Sequence, residues 1–375
     1  MIRVLNYLTT LDLGGKEATI MNFYRNMDRS KVQFDFVLTN NEKNESPNKH
    51  YFEDEAISMG ARIFRVPIKS FSPMKDRNFI KAFTKIFKEN KDIKIFHIHT
   101  EQPLPALILV LVAMKCGVKA RIVHSRSTGF ADGFKQKLSH PFLRIFTTHL
   151  RACSREAGHV MFGKKAWDRS KKSLVLHNAR DIDLFRFNPV TRARVRDELG
   201  LNDEFTIITV ARLAEVKNIS FAIEAFNLLL EKKPNCAFVI VGDGELRGNL
   251  QQQAVELGIE KSVLFLGMRM DVANLLQAGD VCVMPSLYEG LPGVAIEGQA
   301  AGLPCLLSDT ISAETKITDN VKFLPINQGA GIWADAMFEL TNFNREDTFE
   351  AVQKAGYEIN EAAKKLEDFY LKVLK

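Results

Sequence analysis

Along the whole chain, short apolar runs alternate with stretches whose apolar positions recur every three to four residues. The runs read as buried strands and the longer period as helices with one packed face, so their alternation predicts parallel α/β sheets. In the first half strands are predicted at 2–7, 34–38, 62–66, 95–97, 121–124, 150–152 and 173–176, with helices at 18–27, 51–59, 77–90, 104–116 and 136–146. The period restarts after HNARDID, where a short helix at 191–199 leads to a new strand at 206–210. Further strands follow at 237–241, 262–265, 281–284, 304–307 and 321–324. Helices fall at 219–232, 245–257, 271–277, 293–301 and 331–340, and 357–375 carries apolar residues spaced for one helix face.

A repeated plan within 375 residues fits two cores better than one, since single cores stop growing at about 250–300 residues. The expected division is a domain over 1–185, a second over 186–355 and a C-terminal helix over 356–375 that packs back toward the first. Ligands of open parallel sheets bind beyond the carboxyl ends of the strands. Two such sheets facing each other would enclose a cleft.

Composition adds exclusions. An apolar share of 46% and a charged share of 26% are those of a folded protein. The longest apolar run, 104–114, is shorter than the roughly 20 residues of a membrane span, and the N-terminus lacks the order of a secretory signal, so a cytoplasmic location is expected. Five widely spaced cysteines suggest neither a disulfide framework nor a zinc site. The net charge of +6 is the sum of +16 over residues 1–180 (32 Lys+Arg, 16 Asp+Glu) and −10 over 181–375 (19 against 29). Within 135–172 the basic residues Lys135, Lys137, Arg144, Arg151, Arg155, Lys164, Lys165, Arg169, Lys171 and Lys172 meet only Glu156 and Asp168, with Phe142, Phe146, Phe162 and Trp167 between them. That stretch reads either as a solvated helical face with ordinary core aromatics or as a surface for an anionic partner or membrane, held peripherally by charge without an apolar anchor and released by salt. Nucleic acid is not an expected partner.

The chemistry concentrates at 280–309, DVCVMPSLYEGLPGVAIEGQAAGLPCLLSD. A strand ends at Met284, a loop follows, and a helix begins near Gly293, so unpaired helix amides point at the strand-end crevice. Glu289 and Glu297 can both face it, and a carboxylate accepting from vicinal hydroxyls suits a ribose or hexose. Gly290 permits close backbone approach to a ligand. The segment PSLYEGLPGVAIEGQAAGLP resembles the Glu-x7-Glu segment of glycosyltransferase family 4, retaining enzymes of the GT-B fold. Further matches occur in the family's order: LDLGGKEATIMNF at the N-terminus, IVHSRST at 122–128, VARLAEVKN at 210–218, VGDGELR at 241–247 and FLGMRMD at 265–271. CLLSDTISAE, with TDNVKFLP, is most similar to transferases of capsular or exopolysaccharide assembly.

The resemblance implies an α/β GT-B fold, two Rossmann-like domains with parallel sheets facing an interdomain cleft, the first binding the acceptor and the second the nucleotide sugar. It implies that Glu297 holds the ribose hydroxyls, that Glu289 sits beside the donor sugar, and that the segment after it, Gly290, Leu291 and Pro292, binds the same sugar's hydroxyls. Arg212 and Lys217 would clamp the diphosphate, as fixed cations there also stabilise the growing leaving-group charge. Gly267, Met268 and Arg269 would border the base, Gly14 and Gly15 would open a helix toward the diphosphate, and His124 would stand beside the reacting sugar. His97 and His99 end the neighbouring strand and could line the acceptor side. EGQAAG and the Asn218 after Lys217 depart from the commoner pattern without removing a charge.

The implied reaction is hexosyl transfer with retention from a nucleotide-diphosphate sugar, expected to be a UDP-sugar, to a glycan or lipid-diphosphate-linked acceptor. No carboxylate pair of the glycosidase kind and no Asp-x-Asp clamp is assignable, so no cofactor or metal is expected. Two alternatives remain open at this level: a nucleotide-sugar 2-epimerase, which would convert the donor without an acceptor, and a non-catalytic nucleotide-sugar-binding protein.

Overall fold

Residues 1–41, 49–68, 77–126 and 134–374 are described by the structure, a computed structural model. Ser127 and Thr128 of the IVHSRST segment, and the side chains of Phe134, Lys135 and Lys137 in the basic stretch, lie outside the described residues.

The chain forms two compact units. In the first, Met1–Arg180 with Glu358–Lys375, the elements are β1 (Ile2–Leu8), α1 (Gly15–Arg25), β2 (Val32–Asn41), α2 (Glu53–Ser58), β3 (Ile63–Ile68), α3 (Arg77–Glu89) and β4 (Ile93–Thr100). There follow α4 (Pro103–Lys115), β5 (Ala120–Ser125), α5 (Phe134–Phe146), β6 (His149–Ala152), α6 (Arg155–Phe162), α7 (Lys164–Arg169) and β7 (Ser173–Val175). The second unit, Asp181–Tyr357, holds α8 (Pro189–Glu198), β8 (Phe205–Val210), α9 (Ile219–Lys232), β9 (Cys236–Val241), α10 (Arg247–Glu256), β10 (Val263–Gly267) and α11 (Val272–Ala278). It continues through β11 (Val281–Met284), α12 (Gly293–Ala300), β12 (Cys305–Ser308), β13 (Val321–Leu324), α13 (Ala330–Glu339) and α14 (Phe349–Lys354), after which α15 (Ile359–Lys372) rejoins the first.

Each unit has one all-parallel sheet, in the order β3-β2-β1-β4-β5-β6-β7 and β10-β9-β8-β11-β12-β13. Strand order reverses between β1 and β4 and again between β8 and β11. Such a reversal splays the flanking loops apart and leaves a crevice at the strand ends. The central strands are buried on both faces, and all six residues of β9 lie inside, because helices cover both sides of a parallel sheet. In the first unit α3 to α7 cover one face through Phe79, Phe83, Leu109, Leu143 and Trp167. The helices α1, α2 and α15 cover the other through Ile20, Tyr24, Ala56, Ala363 and Tyr370. In the second, α9, α10 and α13 pack one face and α8 and α11 the other. Each fully buried Leu or Phe contributes about 1.5–3 kcal/mol, which suffices to give each sheet its own core.

All the predicted strands form. Three short helices, α6, α7 and α14, of six to eight residues each, are absent from the sequence reading. Two of them lie in the basic stretch and change its meaning. Phe162 and Trp167 are not interleaved at the surface: their rings stack at 5.5 Å inside the core, with Trp167 laid across Gly158, where a Cβ would come within 2.4 Å of the indole. Arg151 is buried as well, bonded to the Leu150 and Lys172 carbonyls and lying over the Phe369 ring. Phe142 is exposed, as are Lys164, Lys165, Lys171 and Lys172.

Candidate functional site

At the switch point of the second sheet, the loops after β8 and β11 are stitched together. The Leu287 amide donates to the Val216 carbonyl at 2.8 Å, and Asn218 Nδ2 donates to the Pro285 carbonyl at 3.1 Å. Asn218 adopts the left-handed conformation, φ 54°, which Asn tolerates better than other side chains and which starts α9 directly. The stitching brings Lys217 and Glu289 into contact, Nζ to Oε2 at 2.8 Å, with both side chains largely buried. Ser286 Oγ donates to the other oxygen of Glu289 at 2.5 Å. A cation and a carboxylate thus stand side by side at the crevice.

Arg212 is placed differently. Its side chain is 73% exposed and meets Glu245 Oε2 at 3.2 Å, away from the Lys217–Glu289 pair. Its loop is fixed through the backbone: Leu213 bonds the Asp243 carbonyl and Leu246 bonds Leu213's own. The VGDGELR glycines serve that approach. A Cβ on Gly242 would fall 1.9 Å from the Ala211 oxygen, and one on Gly244 2.4 Å from that of Leu213. The glycines therefore place the Arg212 loop.

Helix α12 begins at Gly293 with no side-chain cap from Pro292, so its first amides face the loop that carries Glu289, Gly290 and Leu291. Glu297 lies half-buried on its second turn. Gln299, the departure in EGQAAG, is fully buried and satisfied. Its amide donates to Ala295 and Thr315 carbonyls, while its oxygen accepts from the Ile317 and Thr318 amides. It holds α12 to the segment after β12 and leaves the carboxylates unchanged. At the end of β10, Gly267 has φ 67°, its carbonyl accepts from Gly242, and Met268 is 68% exposed. Arg269 turns to Asp271 in a two-bonded pair at 2.7 and 2.6 Å.

In the first unit, Gly14 and Gly15 open α1. Above Gly14 sits the Glu17 carboxylate, 2.3 Å from where a Cβ would stand, an anion on the helix's positive end that the sequence reading did not assign. His97, His99 and His124 meet at the ends of β4 and β5, all buried. Arg126 Nε and Nη2 lie 3.2 and 3.1 Å from His99 Nδ1, and Arg126 Nη1 donates to Asn178 Oδ1. Guanidinium only donates, so His99 Nδ1 is the acceptor and its Nε2 proton goes to Asn6 Oδ1 at 3.1 Å. His97 stands between the Tyr370 hydroxyl, 2.6 Å from Nδ1, and His124 Nδ1, 3.2 Å from Nε2. If the phenol donates to Nδ1, as its hydroxyl proton needs an acceptor, His97 donates onward and His124 presents an N–H at Nε2. That ring is fully buried, and a backbone hydrogen bond to Leu176 favours its protonated form. Burial pushes all three imidazoles well below their ordinary value, with the Arg126 charge adding to it. Desolvation likewise lowers Arg126 to about 10.

The ring nitrogens of these histidines lie within 4.8 Å of one another, the spacing of a metal-ligand group. Most are already engaged with Asn6, Tyr370, Arg126 or each other, and Arg126 would oppose a dication in the same low-dielectric site. The arrangement fits a hydrogen-bonded array better than a metal centre. His124 corresponds to the predicted site residue, yet it is fully buried and its neighbours are His97 and His99. Sequence reasoning missed Arg126, Asn178 and Tyr370, because no motif links positions so far apart.

Two Rossmann-like units, each with polar groups gathered at the switch point of a parallel sheet, define the chain as a GT-B protein. Solved structures share the fold: a glycosyltransferase from Rickettsia africae ESF-5 matches with TM-score 0.79 at 17% identity, covering 100% of this chain and 99% of that one. Anabaena Alr3699/HepE in complex with UDP matches with TM-score 0.77 at 16% identity, covering 98% and 99%. The family model described as glycosyl transferases group 1 matches residues 191–337. The Bacillus subtilis (strain 168) protein named "Putative glycosyltransferase EpsF" is 34% identical over 89% of this chain and 86% of its own. The UDP-Gal:alpha-D-GlcNAc-diphosphoundecaprenol alpha-1,3-galactosyltransferase of Escherichia coli is 32% identical over 74% and 72%. The chain belongs to the group 1 glycosyltransferases.

Proposed function

We propose that this glycosyltransferase moves a hexose, with retention at the anomeric carbon, from a UDP-sugar to a glycan carried on a lipid diphosphate, in assembly of a surface polysaccharide. The observation that carries the reading is the Lys217–Glu289 pair at the switch point of the second sheet, 2.8 Å apart. Such a pair supplies a cation for a diphosphate and a carboxylate for sugar hydroxyls within one crevice. Support for the substrates comes from relatives: the E. coli enzyme is named for UDP-Gal and a diphosphoundecaprenol acceptor, and a Staphylococcus aureus relative, 22% identical over 99% of both chains, is named for capsular polysaccharide biosynthesis.

In the proposed reaction Lys217, Arg212 and the first amides of α12 stabilise the departing UDP, Glu297 holds the ribose and Glu289 the sugar. The acceptor hydroxyl attacks from the face the diphosphate leaves and yields its proton to that diphosphate. Fixed cations and helix amides take the place of a metal, and no cofactor is used. His124 stands beside the reacting sugar, and its Nε2–H serves a sugar hydroxyl. The exposed lysines Lys164, Lys165, Lys171 and Lys172 hold the first unit at an anionic membrane.

Incubating the protein with a panel of nucleotide sugars and measuring slow acceptor-free hydrolysis identifies the donor; UDP-hexoses should be consumed. Lys217→Ala should lower turnover about tenfold or more, and the exposed Arg212→Ala somewhat less, with the fold retained. If both variants bind UDP and turn over as the wild type does, the diphosphate site is misplaced. An epimer formed without acceptor would replace transfer by isomerisation.

A further inference from the structure

The first unit's helices α4 and α5 break the usual pattern of a surface helix. Helix α4, PLPALILVLVAMK, is apolar on every side, and helices of that kind are normally buried all round. Here only one side is buried, through Ala106, Leu109, Val110 and Ala113. The outward positions Leu104, Leu107, Ile108 and Leu111 are half-exposed and Met114 exposed, leaving Lys115 as the polar residue at the end of that face. Beside it lies α5, whose exposed described side chains are all apolar: Leu138 at 58%, Pro141, Phe142 at 51% and Ile145 at 65%. The two helices pack along each other, fastened at one end by the Leu104 amide on Gln136 Oε1. At the other end Arg121 donates to the Val118 and Phe146 carbonyls.

Cations border this apolar face. On one side α3 packs against α4 and turns Lys81, Lys85 and Lys88 outward, with exposed Glu89 3.9 Å from Lys85 at its end. At the C-terminal end Lys119 is exposed in the turn after α4, and Lys172 Nζ donates to the Arg144 and Thr147 carbonyls at the end of α5. Between Gln102 and Arg155 the sequence has one acidic residue, Asp132. A contiguous apolar surface of this extent marks an interaction site. Apolar side chains framed by lysines are the signature of an element lying in the headgroup region of a bilayer.

We propose that the outward face of α4 and α5 inserts into the lipid of an anionic membrane, with the surrounding lysines of α3 and of the helix ends resting on the headgroups. The proposal rests on the membrane-borne acceptor put forward above and deepens it: attachment combines charge with apolar insertion, so it outlasts salt that would release a purely ionic contact. The lysines draw the protein to the surface, and Leu138, Phe142 and Ile145 then enter it.

Sedimentation with vesicles of phosphatidylglycerol mixed with phosphatidylcholine tests this. The wild type should bind these and remain partly bound at about 1 M salt, where the screening length falls to about 3 Å. The variant Leu138→Ser/Phe142→Ser/Ile145→Ser should bind at low salt and be released fully at high salt. In a separate variant, Phe142→Trp, the emission of the added indole should shift to shorter wavelength on vesicles and be quenched by brominated lipid tails. Equal salt resistance of wild type and serine variant, complete release of the wild type by salt, no vesicle binding, or an unshifted indole emission in the Phe142→Trp variant would each overturn the proposal. So would a dimer that the serine changes dissociate, since a second copy would then cover the face. Acceptor-free hydrolysis of the UDP-sugar is read in parallel: its retention in every variant shows that they fold and keeps a failed lipid result separate from a failed transferase reading.

Discussion

Lys217 and Glu289 satisfy each other at 2.8 Å, so a diphosphate that takes over Lys217 also releases Glu289 to accept from sugar hydroxyls. Under the proposed roles, binding and chemistry should separate by residue. Glu297→Ala should raise the donor KM about tenfold, equivalent to about 1.4 kcal/mol of ribose contact made before reaction, with kcat changed much less. His124→Ala should do the reverse, lowering kcat about tenfold or more at nearly constant KM, because its contact is at the reacting sugar. Steady-state kinetics with the identified UDP-sugar distinguishes them. If both variants altered KM alone, His124 would belong to donor binding or to the core.

At the scale of elements, the informative one is α15. Glu358 caps it by accepting from the Asn360 and Glu361 amides at 2.8 Å, and Glu367 ties it to the Asp28 amide at 3.0 Å. Its apolar side, Ile359, Ala363, Leu366 and Tyr370, completes the first unit's core. Through Tyr370 this terminal helix reaches His97 and, one step on, His124. Tyr370→Phe keeps the ring and removes the hydroxyl, leaving His97 Nδ1 without its partner. A loss of about 1–2 kcal/mol in chemical denaturation is expected. A several-fold fall in kcat at constant KM should accompany it if the hydroxyl fixes the tautomer of His124. Lost stability with unchanged kcat would make the hydroxyl purely structural.

Over the whole molecule the charge is divided by unit. The C-terminal segment of the first unit carries Lys364, Lys365, Lys372 and Lys375 against Glu358, Glu361, Glu367 and Asp368. It therefore leaves that unit at +16 and the second at −10, the values for residues 1–180 and 181–375. The positive unit also buries neutral histidines, which makes its stability depend on pH. His97, His99 and His124 have folded pKa values depressed well below the unfolded value of about 6.5, and His149 is lowered to about 4 by burial. Below about pH 6.5 the unfolded chain takes up protons that the folded chain refuses, so stability present at neutral pH is lost as pH falls. Each histidine that stays neutral contributes a slope of up to about 1.4 kcal/mol per pH unit. Thermal unfolding should show Tm falling between about pH 7 and pH 5, more gently in a His97→Gln/His124→Gln variant. An identical slope in that variant would place the proton uptake elsewhere.

Much of this was legible in one dimension. The apolar runs of β8, β9 and β11, bounded by turn residues, read as strands buried on both faces, and the longer amphipathic helices show themselves by period. Glu289, Glu297, Arg212 and Lys217 stood out through the family resemblance of the segments that carry them. What tertiary structure decided are contacts between positions far apart in sequence, which no local pattern encodes. Lys217 meets Glu289 only because β8 and β11 are neighbours at the switch point. Tyr370 meets His97 only because the last helix packs under the first sheet. Composition could not say that Trp167 and Arg151 are core while Leu138, Phe142 and Ile145 face outward. A sequence states which residues are apolar or charged, and burial depends on which surfaces the fold leaves without a neighbour.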